Sequence, residues 1–176
     1  DFGIKELAVL STGEVFAPNQ KLKESLGKLA RLQRNFAKKV KGSIRRAKAK
    51  LKIAKLHFRI ARQRQAVLHE LSNYLTKTFD LITIEDLNVK GMVKNRRLSR
   101  AISDAGFGLL RQFIEYKAKF RNCTVVIANR FFPSSKTCSC CGWKNEDLKL
   151  SDRIFICGNC GMIKDRDHNA ADNLEK

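Results

Sequence analysis

An α/β fold, interrupted by a long basic helical pair and by a cysteine-rich segment, is the architecture this sequence predicts. Three observations carry it. Two short apolar runs, Leu81–Glu85 and Thr124–Ala128, flank an amphipathic stretch, the strand–helix–strand order of a parallel crossover. Residues 20–79 place apolar side chains at steps of three and four, the period of helices with one buried face. Five of the six cysteines lie between Cys138 and Cys160.

Residues 1–18 read as a hairpin. Asp1–Leu10 alternates loosely, Thr12-Gly13 suits a turn, and Glu14–Ala17 returns as a second strand. The helical pair follows. Leu22, Leu26, Leu29, Gln33, Phe36 and Val40 form one stripe, Gly42-Ser43 breaks it, and Ser43 is placed to cap the next helix. On the second helix the main stripe runs Leu51, Ala54, Phe58, Ala61, Gln65, Leu68, Ser72, Leu75 and Phe79. A neighbouring stripe of Ile53, Leu56, Ile60, Val67, Leu71 and Tyr74 widens it. Leu81–Glu85 suits a buried central strand. Residues 88–103 are polar and basic and read as a loop, Asp104–Arg121 as one helix, Thr124–Ala128 as a strand, and His168–Glu175 as a short closing helix.

Charge narrows the partners. Lys and Arg exceed Asp and Glu by 36 − 17, a net +19. From Lys21 to Arg64 there are 17 basic residues and one acid, Glu24, so this segment alone holds 17 − 1 = +16. A solvated helix face is the plainer source of such a run. Its concentration and lack of neutralising acids favour a polyanion, nucleic acid above a lipid surface. Lys38, Lys39, Arg45 and Arg46 on the hairpin, with Arg96, Arg97 and Arg100 further on, are candidate phosphate contacts. Binding through them should fall steeply with salt. No run of 18 apolar residues and no export pattern occurs, so a cytoplasmic chain with no membrane partner is expected. The start at Asp1 without Met reads as a piece of a longer protein.

Cys138-x2-Cys141 and Cys157-x2-Cys160 are separated by 15 residues, a spacing that lets two knuckles share one tetrahedral zinc. Gly142 and Gly161 follow the second cysteine of each knuckle, where the turn favours glycine. With four protein ligands such a zinc is structural. Matched spacing argues against the plainer alternatives of buried thiols or a redox pair. Cys140 reads as a spectator or a slipped alternative ligand, and Cys123 as a small buried apolar residue. Trp143 is open between stacking on a base and packing the ribbon.

Acids are scarce, yet several stand at structured places: Asp1 beside the first strand, Glu85 at the end of Leu81–Glu85, and Asp165 and Asp167 before the last helix. A carboxylate at a buried strand end is costly unless a cation or a donor compensates it. Three together would make an oxygen-rich Mg²⁺ site, and two ions about 4 Å apart serve phosphodiester hydrolysis. Each also has a plainer role: a chain end for Asp1, a loop opening for Glu85, a helix N-cap for Asp167. Spacing alone does not bring them together.

The motifs, taken in order, resemble a known family. Asp1-Phe2-Gly3-Ile4-Lys5 with Leu7-Ala8-Val9 is similar to the first motif of the TnpB family, the OrfB proteins of insertion sequences, related to type V CRISPR effector nucleases. Ile84-Glu85-Asp86-Leu87 with Gly91-Met92 resembles the second motif, and Ser103-Asp104-Ala105-Gly106-Phe107 the segment before the ribbon. The ribbon and Asp165-Arg166-Asp167-His168-Asn169-Ala170-Ala171 resemble the third.

The resemblance implies an RNase H-like (RuvC) nuclease core over 1–133 with a helical insertion at 20–79, a zinc ribbon contacting target nucleic acid over 134–164, and a last core segment over 165–176. It implies Asp1, Glu85 and Asp167 as catalytic acids, with Asp165 in reserve. It implies Mg²⁺-dependent cleavage of target DNA directed by a guide RNA, encoded by a prokaryotic mobile element. The family is longer at its N-terminus and its first motif sits inside a strand whose leading half is missing here. A free α-amino group at Asp1 would then compete with metal, and the isolated chain is expected to bind better than it cuts. The rival reading is a non-catalytic zinc-ribbon module that binds nucleic acid. It accounts for the charge and the cysteines but not for acids at strand ends. A transposase joining DNA strands is a weaker third, since nothing in the sequence suggests recognition of transposon ends.

Overall fold

The computed structural model describes residues 1–149 and 151–176. They form two compact units: Asp1–Pro18 with Leu71–Lys176, and Asn19–Glu70.

The opening hairpin forms with shorter strands than the alternation suggested. β1 (Ala8–Val9) pairs antiparallel with β2 (Val15–Phe16), while residues 4–7 are bent. The turn residue Gly13 has φ +92°, a conformation in which a β-carbon would be strained. Asp1 is tied to β1 in both directions: its amino group donates to the Val9 carbonyl at 2.9 Å, and the Val9 N–H returns a bond to the Asp1 carbonyl at 2.9 Å.

The helical unit consists of α1 (Gln20–Ala37) and the greater part of α2 (Ile44–Thr78). Asn19 caps α1, accepting from the Leu22 N–H at 3.1 Å while its amide donates to the Gln63 carbonyl at 2.9 Å. Between the helices Gly42 takes φ +81°, and Ser43 Oγ accepts from the Arg46 N–H at 3.2 Å. Leu22, Leu29, Leu56 and Ile60 form the buried core, with Leu26, Leu32 and Ile53 against it. This corrects the expected packing of α2. The neighbouring stripe is inside, whereas Leu51 and Phe58, from the stripe taken as principal, are 57% and 63% exposed. Leu51 and Ile53, like Phe58 and Ile60, are two positions apart, about half a turn around the helix. The outer one keeps company with charge: the Arg62 guanidinium lies 5.0 Å from the centre of the Phe58 ring.

The remaining elements belong to the larger unit. β3 (Leu81–Glu85) and β4 (Thr124–Ala128) run parallel, Leu81 opposite Thr124 and Glu85 opposite Ala128. Ile82 and Ile84 are buried but Leu81 is exposed, so β3 is covered on one face rather than buried throughout as expected. The crossover holds three helices, α3 (Val89–Met92), α4 (Ser99–Ala105) and α5 (Phe107–Phe120). Two expectations are corrected here. Residues 88–103 are not one loop, because the Asn88 side chain accepts from the Gly91 N–H at 3.0 Å and opens α3. The helix expected over 104–121 is broken at Gly106, whose φ of +69° closes α4 and redirects the chain so that Ile102 and Phe107 are both buried.

β5 (Ile154–Ile156) and β6 (Ile163–Asp165) form an antiparallel ribbon, and α6 (Arg166–Glu175) ends the chain. The helix begins before His168 because Asp165 caps it, accepting from the N–H groups of Asp167 at 2.9 Å and His168 at 3.2 Å. α6 packs on β1, β3, β5 and β6, with Ala170, Ala171 and Leu174 buried. The described strands thus make three two-stranded sheets rather than one continuous sheet. Among the described residues, no helix is long and apolar enough to cross a membrane.

Candidate metal centre and acid cluster

The two cysteine knuckles converge. The sulfur atoms of Cys138, Cys141, Cys157 and Cys160 all lie within 4.8 Å of one another. Cys138 and Cys160 are 3.7 Å apart, and Cys141 and Cys157 3.6 Å. A tetrahedral ion with bonds of about 2.3 Å needs sulfur–sulfur edges of about 3.8 Å, so the four thiols fit one metal ion. Each knuckle turns on a glycine, Gly142 at φ +77° and Gly161 at φ +74°. The turns direct N–H groups at sulfur, as in the 3.4 Å bond from the Cys160 N–H to Cys157. The Trp143 N–H and the Asn159 side chain pull the Cys141 thiol down to about 6. The Met162 N–H acts the same way on Cys160, but Cys157, burial and the other two thiols outweigh it and push Cys160 up to about 12. Thiols this close resist joint ionisation until a cation lies among them.

Phe155 fills the ribbon core, fully buried, with Leu148 and Met162 against it. Trp143 packs over Gly158, where an added β-carbon would come within 3.0 Å of the indole. That contact favours the packing role for Trp143. Cys140 is exposed and outside the cluster. Cys123 is half-buried, because it precedes β4 at the surface instead of lying inside as expected. Cys140→Ser is therefore expected to retain one metal ion per chain and Cys141→Ser to lose it, as elemental analysis of the purified proteins would show.

The candidate acids are borne by elements in contact, since α6 packs on β1 and β3. Glu85 ends β3, and its Oε1 accepts from Ser134 Oγ at 2.8 Å. Asp167 lies 3.3 Å from the Arg166 guanidinium and 3.7 Å from that of Arg153. The Asp1 amino group is buried; burial lowers its pKa from the ordinary value, and the charges of Glu85 and Asp167 oppose that shift. Both carboxylates thus bear on the Asp1 backbone nitrogen. The acids are not closed around it. Among the described residues, only the four cysteines have three or more ligand atoms within 4.8 Å of one another. Of the two aspartates near the end, Asp165 is engaged as the α6 N-cap, the role that had been weighed for Asp167.

Three residues that the sequence reading passed over join these two sites. Ser134 is buried, holds Glu85, and gives its carbonyl to the Asn173 amide at 2.8 Å. Asn169 is fully buried, accepts from the Ser139 N–H at 2.9 Å and donates to the Thr137 carbonyl at 2.7 Å. Asn173 reaches the same Thr137 carbonyl at 2.6 Å. Two asparagines at i and i+4 among Ala170, Ala171 and Leu174 are the signal that marks them: amides on the apolar side of a helix need partners. Asp86, beside Glu85, binds Arg111 at 2.8 Å and also Arg130. The Arg111 hydrogen bond holds its carboxyl below the usual carboxylate range, with Arg130 adding to it against some burial.

The candidate phosphate contacts divide. Lys38, Arg45, Arg96 and Arg97 are exposed, Lys39 is half-buried, and Arg100 is exposed 3.9 Å from Asp104. Arg46 is already engaged: its guanidinium donates to the Lys39 carbonyl at 2.7 Å and lies 4.1 Å from the centre of the Phe36 ring, closing the turn after α1.

A mixed α/β protein with a four-cysteine ribbon anchored on its last helix is the class that fold and site define. A family profile described as probable transposase, OrfB_IS605, matches residues 1–96, and one for the Cas12f1-like TNB domain matches residues 107–174. The chain belongs to the TnpB family, that of OrfB. It is 42% identical over 99% of its length to a Streptomyces pristinaespiralis protein named as an RNA-guided DNA endonuclease, covering 43% of that protein. It is 34% identical over 99% of its length to InsQ of Escherichia coli K12, named likewise, covering 47% of it. The chain therefore spans less than half the length of these relatives. Its fold matches a chain in the cryo-EM structure of a Cas12f1–sgRNA–target DNA complex with a TM-score of 0.66 at 20% identity, covering 98% of this chain and 47% of that one.

Proposed function

We propose that this chain is the nuclease and target-contacting portion of an RNA-guided DNA endonuclease, built on an RNase H-like (RuvC) core. The observation that carries this is the packing of α6, which bears Asp167, on β1, to which Asp1 is bonded, and on β3, which ends at Glu85. In this reading Asp1, Glu85 and Asp167 would hold Mg²⁺, whose chemistry would be to activate water and offset charge on the leaving oxygen of a DNA phosphodiester. Ser134 fixes one oxygen of Glu85. Arg153 and Arg166, at 3.7 and 3.3 Å, offset the charge of Asp167. Zinc on Cys138, Cys141, Cys157 and Cys160 is structural. Residues 1–133, with the insertion 20–79, and 165–176 form the core, and 134–164 the ribbon. Exposed cations of the insertion, with Arg96, Arg97 and Arg100, take phosphates of target DNA and guide RNA.

The test is cleavage of labelled single-stranded DNA by the zinc-loaded protein, with Mg²⁺ and without it. Mg²⁺-dependent cutting supports the reading. Salt-sensitive binding without cutting, in protein whose Trp143 fluorescence shows an intact ribbon, favours a passive nucleic-acid-binding module.

A further inference from the structure

The loop after β4 is pinned at both ends to the neighbourhood of Glu85, yet it holds out an aromatic ring. At one end Arg130 donates to the Asp86 carbonyl at 3.3 Å and pairs with the Asp86 carboxylate. At the other, Ser134 donates to Glu85. The Asn129 side chain accepts from the Phe131 N–H at 2.9 Å and its carbonyl from the Phe132 N–H at 2.9 Å, so the intervening backbone is bonded too. Within this braced loop Phe131 is 87% exposed, and Phe132 is 42% exposed. A ring this exposed gives up the burial that usually accounts for phenylalanine.

Position suggests the occupant. Two residues separate Phe131 from Ser134, so its backbone lies at most about 10 Å from that of the residue whose side chain touches Glu85. That span corresponds to about three nucleotides at duplex spacing. The chain's net charge of +19 favours a polyanion, and an unpaired base is the part of one with a flat face to match a ring. We infer that Phe131 is a stacking platform for an unpaired base of the DNA strand presented to the acid cluster, setting which nucleotide lies over Glu85. This rests on the nuclease reading only for the strand's destination. A paired base has no free face to offer, so the contact selects single-stranded DNA.

The experiment is fluorescence anisotropy of a labelled single-stranded DNA oligonucleotide with the full zinc-loaded chain, without Mg²⁺. Phe131→Ala and Phe131→Leu are expected to weaken binding about tenfold, and Phe131→Trp to retain it. Affinity for a long duplex containing the same sequence should change by less than about twofold, since stacked pairs leave a free face only at the two ends. Parental affinity in Phe131→Ala, equal behaviour of the Leu and Trp variants, an equal loss on duplex, or a loss confined to an RNA oligonucleotide would each overturn the proposal. Cleavage is not read in this assay. A parent that binds but never cuts with Mg²⁺ defeats the nuclease reading and leaves the platform standing.

Discussion

Replacing Glu85 with Gln is expected to lower Mg²⁺-dependent cleavage by about 100-fold or more while leaving DNA affinity within about twofold. Gln keeps the shape and can still accept from Ser134 Oγ, which lies 2.8 Å away in the parent. What it removes is the charge that a divalent ion requires. Loss of an outer partner of a metal ligand typically costs about 10–100-fold, so loss of the ligand belongs at or beyond the upper end. Ser134→Ala supplies the internal comparison. It leaves the carboxylate in place but unbraced, and an effect of about tenfold on cleavage is expected. Single-turnover cleavage with saturating DNA, read beside binding, separates the two. If Glu85→Gln and Ser134→Ala were equal, or if Glu85→Gln lost affinity as well, Glu85 would be a structural acid of the strand end.

Asn169→Ala is expected to destabilise the ribbon by about 2–3 kcal/mol and to reduce cleavage without touching any acid. The parent asparagine accepts from the Ser139 N–H and donates to the Thr137 carbonyl. Alanine leaves the Ser139 N–H without its partner, and an orphaned buried group costs about 1–3 kcal/mol. Asn173 still serves Thr137, so the carbonyl side is partly covered. The chain's single tryptophan, Trp143, packs on Gly158 inside the ribbon, so its fluorescence during denaturant unfolding reports the segment at risk. Withdrawal of the zinc should act in the same direction more strongly. A metal on the four cysteines would fix the knuckle that begins at Cys138, and that knuckle is bonded to the helix carrying Asp167. Retained cleavage with an unfolded ribbon would show that the two sites are independent.

The sequence made the metal site legible to a degree it did not allow for the acids. Two Cys-x2-Cys knuckles encode their own geometry, because local turns on Gly142 and Gly161 aim the thiols before tertiary packing adds anything. Gly42-Ser43 was readable for a similar reason, as a left-handed residue followed by a cap. Features settled by long-range packing were not. The stripe Leu51–Phe58 and the stripe Ile53–Ile60 are equally apolar as text, and only contact with Leu22 and Leu29 chooses between them. Short helices at Val89–Met92 and Ser99–Ala105 hide in a basic stretch whose propensity is weak, and they exist through Asn88 and Gly106. Asp1, Glu85 and Asp167 could be nominated from their places at element ends. Their approach depends on α6 packing against β1 and β3, which no spacing within the chain records.

The amino group of Asp1 separates charge from shape at a single atom. It donates to the Val9 carbonyl at 2.9 Å, a bond that an amide N–H in the same place could also make. Acylating it, whether by an acetyl group or by a preceding peptide, would preserve the pairing with β1 and erase the positive charge facing Glu85 and Asp167. The free chain and its acylated counterpart are thus a matched pair differing in one unit of charge. Within a longer chain only the amide form exists, and an N–H in that place pairs with β1 without adding charge.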